Sequence, residues 1–442
     1  MSNDTIFALA SGRGRSGVAV VRLSGPGAMA SLEAITLKAA PDPRRAALRE
    51  LYIHDKKTLI DQSLILYFKA PESFTGEDVV ELHLHGGPAI LSALFEELSA
   101  RSGLRIAEPG EFTRRAFEHG KLDLTEAEGL GDLVNAETAA QAQQALRQMR
   151  GELGAIYEGW RSELIRALAH LEAGIDFPDE DLPGGVAEAI APKITNLRIE
   201  MESHLADGHR GEKIRDGLDV VILGAPNVGK SSLLNWLARR DAAIVSDLAG
   251  TTRDIVEVPL DLAGYPVTIA DTAGLRESTD MIEREGVRRA RERAKMADIR
   301  VLMTTADDPE ISPDFANLAR PGDFHLINKS DTHGAVSDTA SFQNALWASV
   351  KTGEGLEGFL ARLQDEVISR LDVSGAPALT QVRHRRALED CVDSLKRFEA
   401  AQDPELAAED IRLAARSLAR ITGRIDVEDI LDVVFGDFCI GK

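Results

Sequence analysis

The sequence predicts a multidomain protein of mixed class: α+β at its N-terminus, all-helical in two separate stretches, and α/β in a P-loop domain inserted between them. Three observations carry this expectation. Strand-like apolar runs punctuated by Gly and Pro fill residues 1–120. Helical apolar spacing begins near Leu122, breaks off, and returns from Leu379 to the end. Between the helical stretches four short words stand in order: GAPNVGKS (Gly224–Ser231), GTTRD (Gly250–Asp254), DTAG (Asp271–Gly274) and NKSD (Asn328–Asp331).

A chain of 442 residues has room for two or three domains, each with its own core. Apolar residues make up 44% and charged residues 28%, the balance of an ordinary soluble protein. No apolar run approaches the ~18 residues of a membrane span, and the N-terminus lacks the pattern of a secretory signal. A cytoplasmic location is expected, with no membrane association. Two cysteines, Cys391 and Cys439, make no disulfide framework and suit a reducing compartment. The net charge of −21 argues against a general nucleic-acid coat, which needs a basic surface. Local basic patches remain open at Arg13 with Arg15 and at Arg114 with Arg115.

Along the chain, Val18–Leu23 and Leu64–Phe68 have strand character, and Gly25–Gly27, Gly86–Pro88 and Pro109–Gly110 punctuate them. Ala89–Ala100 has the pattern of an amphipathic helix. Leu153, Tyr157, Trp160, Leu164, Leu168, Leu171 and Ile175 recur at spacings of three and four, on one face of a long helix. Pro178 and Pro183–Gly185 break it, and a second helical stretch runs from about Ala187 to Gly208. Strand Asp219–Leu223 opens an alternation of strand and helix that ends near Leu371. Helix before and helix after a self-contained α/β unit implies insertion, so the expected domains are 1–120, 121–215, 216–372 and 373–442. The second and fourth are two parts of one discontinuous helical domain.

The four words define a nucleotide site. The apolar strand Val220–Leu223 precedes the glycine loop and a helix follows it at Ser231–Leu237, the context that makes a P-loop credible. Gly224 and Gly229 let backbone N–H groups turn toward phosphates, and the helix N-terminus adds its positive end. Lys230 is placed to reach the β- and γ-phosphates, and Ser231 to ligate Mg²⁺. Asp271 ends the strand Val267–Ala270, where it can hold Mg²⁺ through water, and the Gly274 N–H can meet the γ-phosphate. The ionised Asp331 carboxylate is acceptor-only, matching guanine's N1–H and exocyclic amine, which adenine does not offer in that arrangement. Ser349-Val350-Lys351 falls where a loop passes under the base. Residues 216–372 are thus expected to form a Ras-like P-loop G domain that hydrolyses GTP.

After DTAG come Leu275 and Arg276, with no glutamine to position the attacking water. Another device is then needed. Asn227 is a neutral oxygen ligand in the P-loop, and carbonyls of the Val245–Gly250 loop can join it around a monovalent cation. K⁺ there would take the charge-neutralising place of an arginine finger, a contribution of about 10³–10⁵ in rate. Glu283 has two readings: a group orienting the attacking water, or a first-turn acid favoured by the helix dipole.

The flanks carry GRSGVAVVRLSG (Gly14–Gly25), SFTGEDVVELHLHGG (Ser73–Gly87), PGEFTRRAFEHGKLDLTEAE (Pro109–Glu128) and a terminal FCIGK. With GAPNVGKSSLLN, AGTTRD and DTAGLRE, the whole chain resembles the MnmE (TrmE) tRNA-modification GTPases. The resemblance implies an N-terminal domain like tetrahydrofolate-binding domains, through which a homodimer forms. It implies a 5-formyl- or 5,10-methylene-tetrahydrofolate as one-carbon source for C5 of the tRNA wobble uridine. It further implies carboxymethylaminomethyl or aminomethyl addition with glycine or ammonium as nitrogen donor, and an FAD-containing partner of the MnmG (GidA) type in a heterotetramer or larger complex. GTP hydrolysis would be K⁺-stimulated, with dimerisation of the G domains.

By position, Arg22, Glu81, Lys121 and Lys442 resemble the folate contacts. Asn227, Ser246, Leu248 and Thr251 resemble the K⁺ ligands, and Ser231 and Thr252 with Asp271 the Mg²⁺ site. The implied GTP contacts are Asn227, Val228, Gly229, Lys230, Ser231 and Ser232, then Ser246, Asp247, Leu248, Ala249, Gly250, Thr251 and Thr252. They continue through Asp271, Thr272, Ala273 and Gly274 to Asn328, Lys329, Asp331, Ser349, Val350 and Lys351. Glu283 and Lys230 are the implied catalytic residues, with Cys439 as a further candidate. Cys439 is either a reactive thiol favoured by nearby Lys442 or a small apolar residue packing the tail. Phe74 stands where the family commonly has tyrosine, and Val350 where it has alanine. His83 and His85 share a strand face with Glu81, a geometry that could bind metal, but no further ligand lies near them in sequence.

Two other functions fit part of the sequence. A ribosome-assembly GTPase would need a basic RNA-binding appendage with a GxxG loop after the G domain, whereas the C-terminal segment here is acidic and helical. A scaffold in which GTP only controls dimer shape, all modification chemistry lying in the partner, fits the same words.

Overall fold

The computed structural model describes residues 4–54, 57–176, 186–239, 256–271, 291–332, 345–372, 377–425, 431, 434–436 and 438–441. By compactness the chain forms two units. One comprises Met1–Gly131, Met149–Arg166 and Ala415–Lys442; the other comprises Asp132–Gln148 and Ala167–Ala414.

In the first unit, β1 (Thr5–Leu9), β2 (Ser16–Ser24), β3 (Ala47–Tyr52), β4 (Leu59–Phe68), β5 (Val79–Gly86) and β6 (Leu104–Ile106) form one sheet in the order β3-β4-β5-β2-β1-β6. Only the β1–β6 pair is parallel. Strand alternation assigns the faces. Val21, Leu23, Leu82, Leu84 and Ile65 pack with Leu32 and Ile35 of α1 (Ala28–Thr36) and Leu94 and Leu98 of α2 (Pro88–Ser99). The intervening residues Arg22 and Glu81 are therefore on the other face, and the β2–β5 register sets them side by side. That face carries a smaller core of Ile6, Ala8, Ala107 and Phe112, the last from α3 (Glu111–Glu118), with Phe74 against it.

Helix α4 (Leu124–Asn135) adds Leu124 and Ala127 to a cluster with Phe117, Leu431, Phe435 and Phe438. The C-terminal tail is thus anchored in the first unit: Ile440 bridges Pro109, and Gly110 N donates to the Cys439 carbonyl at 3.4 Å. Gly441 sits at φ 107°, where a Cβ would run into the Leu9 carbonyl. The compact units thus group this tail with the N-terminal sheet, whereas the sequence suggested grouping it with the second helical stretch.

The second unit holds β7 (Leu218–Leu223), β8 (Val256–Leu262), β9 (Tyr265–Asp271), β10 (Ile299–Thr305), β11 (Phe324–Asn328) and β12 (Ala345–Trp347), in the order β12-β11-β10-β7-β9-β8. All neighbours are parallel except β8–β9. The inner strands β7, β10 and β11 are largely apolar runs because both faces are covered. One face packs on α9 (Lys230–Ala238) and on a later helix, Leu356–Leu371; the other packs Val221, Leu223 and Leu302 against Ala294, Ala297 and Phe315.

Helices α5 (Ala139–Met149), α6 (Glu152–Asp176), α7 (Val186–Leu205) and α8 (Arg210–Asp216) precede this sheet. The short α10 (Pro313–Ala316), α11 (Leu356–Leu371), α12 (Val382–Ala400) and α13 (Pro404–Thr422) follow later in the chain. On α6 the stripe expected from sequence is buried at Leu153, Tyr157 and Leu164, whereas Leu168, Leu171 and Ile175 are only half-buried.

Arg300 of β10 is 1% exposed and Asp323 is 2% exposed. Arg300 Nε donates to Asp323 Oδ2 at 2.8 Å, and its Nη1 donates to the carbonyls of Ala294 and Ala297 at 2.7 and 3.1 Å. The carboxylate also accepts from the N–H groups of Arg300 and Arg320. Replacing Arg300 by Met strands a buried carboxylate, so Arg300→Met is expected to cost ~3–5 kcal/mol, read as an earlier unfolding transition of the full chain in denaturant. Adding Asp323→Leu restores only part of this, because two backbone N–H groups then lose their acceptor.

Candidate functional site

In a parallel sheet the carboxyl ends of the strands share one edge, and ligands bind there where strand order reverses. The sequence words begin at those ends: the P-loop after β7, DTAG at the last residue of β9, NKSD at the last residue of β11, and Ser349-Val350-Lys351 after β12. Parallel pairing alone thus gathers words spread over more than a hundred residues.

The P-loop is tight. Asn227 has a left-handed backbone (φ 62°) and is exposed. Gly229, at φ 107°, caps α9, and a Cβ there would meet the Asn328 amide nitrogen. Lys230 is 6% exposed, and its Nζ donates to the carbonyls of Gly224 and Ala225 at 2.8 and 2.9 Å. Burial pulls its pKa below the usual lysine value, opposed by Asp271. The loop thus holds an ammonium within its own ring of carbonyls, beside the helix N-terminus.

Ser231 Oγ donates to Asp271 Oδ2 at 2.5 Å, and Asp271 is 2% exposed. A hydroxyl and a carboxylate in contact form a hard oxygen donor set, which fits Mg²⁺.

On the base side, the Asn328 side chain bridges two loops: Nδ2 donates to Val228 O at 2.7 Å, and Oδ1 accepts from Val350 N at 3.0 Å. Lys329 is left-handed (φ 61°), which turns the chain into the 3₁₀ segment Ser330–Thr332. Asp331 is exposed, and its Oδ1 accepts from the buried Ser349 hydroxyl at 2.7 Å. That hydrogen bond is the main cause holding its pKa below the usual carboxylate value. Ser349 Oγ accepts in turn from Thr352 N at 3.2 Å. The arrangement presents an ionised acceptor at a fixed position, as guanine's donor edge requires. Ser232 and Lys351 are exposed near the two loops. Ser246, Asp247, Leu248, Ala249, Gly250, Thr251, Thr252, Thr272, Ala273, Gly274, Glu283 and Lys442 lie outside the described residues.

A second constellation lies in the first unit. Arg22 Nε and Nη2 donate to Glu81 Oε1 at 3.0 and 2.9 Å, and His83 Nε2 lies 3.6 Å from Glu81 Oε2. Two rings cover the guanidinium, a placement the sequence did not foretell for Phe74 or Phe112: its Cζ lies 5.6 Å from the Phe74 centroid and 5.7 Å from that of Phe112. The exposed Lys121 passes beside Gly76, its Cε 3.6 Å from where a Cβ would stand. Arg22, Glu81 and Lys121 therefore all adjoin the Phe74–Glu77 loop or its neighbours. A carboxylate, a guanidinium and an ammonium near aromatic rings suit a ligand with an amide-like heterocyclic edge and an anionic tail, so a folate fits the donor set. Cys439 is exposed in the tail beside Pro109–Gly110.

Arg114 and Arg115, left open by the sequence as a local basic patch, do not form one. Arg115 is 4% exposed among carboxylates, because a guanidinium enters a core only when paired, and Arg114 pairs with Glu118 at 3.2 Å. Arg13 and Arg15 are exposed on the β1–β2 connection. Among the described residues no group of three or more His, Cys, Asp or Glu side chains is arranged to hold a metal, His83 and His85 included, and no helix is long and apolar enough to cross a membrane.

The description "GTP-binding protein TrmE N-terminus" matches residues 5–121, and "MnmE helical domain" matches residues 124–439. A Parvibaculum lavamentivorans protein named tRNA modification GTPase MnmE is 55% identical over 443 residues, covering 99% of this chain and 100% of that one. A Paramagnetospirillum magneticum protein of the same name is 54% identical, with 100% of each chain covered. The Danio rerio protein "5-taurinomethyluridine-[tRNA] synthase subunit GTPB3, mitochondrial" is 46% identical over 468 residues, covering 100% of this chain and 93% of its own. With likeness along its whole length and a nucleotide site built for guanine, the chain belongs to the MnmE family of tRNA modification GTPases.

Proposed function

We propose that this protein hydrolyses GTP to drive modification of C5 of the tRNA wobble uridine in the cytoplasm, with a folate as one-carbon source. The observation that carries the GTPase part is the Asn328–Asp331–Ser349 arrangement beside the P-loop. Support for the folate part is the Arg22–Glu81 pair under two aromatic rings, within the region matched by the TrmE N-terminus. Residues 1–120 serve as folate-binding and dimerisation domain, and 216–372 as a G domain set into a discontinuous helical domain. An MnmG-type flavoprotein is the partner in the reaction.

Each residue has a task that follows from its chemistry. Lys230 neutralises phosphate charge on the β,γ side, and the α9 N-terminus adds to it. Ser231, Asp271 and Thr252 hold Mg²⁺, which when bound offsets charge on the phosphates. Asn227 is the described member of a K⁺ ligand set completed by Ser246, Leu248 and Thr251, and Glu283 orients the attacking water. Asp331 selects guanine. Glu81 accepts from the heterocyclic edge of the folate, while Arg22, Lys121 and Lys442 supply positive charge to it. Cys439, exposed at the tail, is a candidate for the transfer chemistry.

Three measurements test this reading. Asp331→Asn exchanges an acceptor for a donor, so GTP binding is expected to weaken roughly tenfold or more while xanthosine triphosphate, with a carbonyl in place of the amine, binds better than to the parent. Hydrolysis is expected to run about tenfold or more faster in K⁺ than in Na⁺ at equal ionic strength; equal rates defeat the cation mechanism. Mass spectrometry of tRNA nucleosides from cells lacking the protein is expected to show loss of the C5-modified wobble uridine, and an unchanged profile overturns the modification function.

A further inference from the structure

Arg115 belongs to neither proposed ligand set, yet it is among the most thoroughly tied side chains of the first unit. Its Nη1 donates to Glu77 Oε1 and Oε2 at 3.1 and 3.2 Å and to the Asp4 carbonyl at 3.0 Å. Its Nη2 donates to Asp4 Oδ1 at 2.8 Å and Glu111 Oε1 at 3.0 Å. Glu77 also accepts from Ser24 Oγ at 2.6 Å, and Ser24 exchanges a 2.6 Å hydrogen bond with Thr75.

These contacts join two pieces of chain that each send a ring to Arg22. Residue 77 closes the loop that carries Phe74, and residue 115 lies one turn along α3 from Phe112. The same loop abuts Lys121 at Gly76, and His119 Nδ1–H donates to the Arg115 carbonyl at 2.8 Å. We propose that Arg115, acting through Glu77, is a positioning residue for the Arg22–Glu81 site, setting the separation of the Phe74 and Phe112 rings that hold the Arg22 guanidinium. A buried guanidinium with five fixed donors can bridge three carboxylates in one geometry; a lysine ammonium keeps the charge but cannot span them all. The ring spacing, and with it the direction of Arg22 toward a ligand, then depends on this one residue. The inference rests on the folate reading of the Arg22–Glu81 site.

The test is calorimetric titration of the full-length protein with 5-formyltetrahydrofolate, a readout independent of catalysis. Arg115→Lys is expected to bind about tenfold or more weakly while keeping the parent far-UV circular dichroism, since small misplacements of positioned groups carry large penalties. Phe74→Ala weakens binding too, and the double variant is expected to bind no more weakly than the worse single one, because both act through the same loop. Ser24→Ala, which removes one hydroxyl from the Glu77 anchor and no charge, gives a smaller loss of the same kind and decides the matter if Arg115→Lys fails to fold. A residue that only stabilises the fold would leave the affinity of folded variants unchanged. Parent-like affinity in folded Arg115→Lys and Ser24→Ala, or fully additive losses with Phe74→Ala, overturns the inference alone. Absence of binding by the unsubstituted protein overturns the folate reading, and this inference with it.

Discussion

The Asn328 carboxamide ties the nucleotide edge of the second unit together. It donates to the P-loop carbonyl at Val228 and accepts from the Val350 amide, so one side chain sets the distance between the phosphate and base loops. Its own place is set by β11, whose parallel pairing with β10 brings it level with the end of β7's neighbour. Gly229 must lack a side chain because the Asn328 amide fills that space. Asp331 depends on the same frame, since the Ser349 hydroxyl that anchors it follows the strand whose loop Asn328 holds.

The two units use buried charge differently. Arg300 and Asp323 close a loop far from the strand ends that carry the nucleotide words, and each guanidinium nitrogen of Arg300 has an acceptor among backbone carbonyls and the carboxylate. Such a pair fixes geometry, and its removal one partner at a time is what costs stability. Around Arg115 the carboxylates outnumber the guanidinium groups at the centre, with Arg105 also pairing Asp4 and Glu111. Desolvation is the largest single influence on Glu111 and would raise its pKa, but hydrogen bonds from Arg105, the Glu108 N–H and Arg115 outweigh it and hold the carboxyl below its usual value. This network borders a site, and its geometry reaches Arg22 through two aromatic rings.

Much of the candidate site was legible in the sequence because it consists of contiguous words whose chemistry is local. A P-loop is one strand end, one glycine turn and one helix start, and all three show in the short run Val220–Ser231. The Asp331 acceptor was legible for the same reason. Arg115 was not. As one of two adjacent arginines it reads as solvated surface, since its partners Asp4, Glu77 and Glu111 are scattered over more than a hundred positions. Phe112 was similarly opaque, and Phe74 showed only as a ring where the family commonly has tyrosine, until the fold placed both near one guanidinium.

The sequence by itself determined the alternation of strands and helices, the guanine-directed chemistry of the nucleotide words, and the family to which the flanking words point. Those properties depend on residue type, spacing and period, which are local. Tertiary structure alone decided which charges are buried, that Arg22 lies beside Glu81 under two rings, and that the C-terminal tail lies against Pro109 and Leu9 in the first unit. These follow from strand register and from packing between segments distant in sequence. A shift of one residue in the β2–β5 pairing would turn Arg22 into the core and leave the rest of the sequence unchanged.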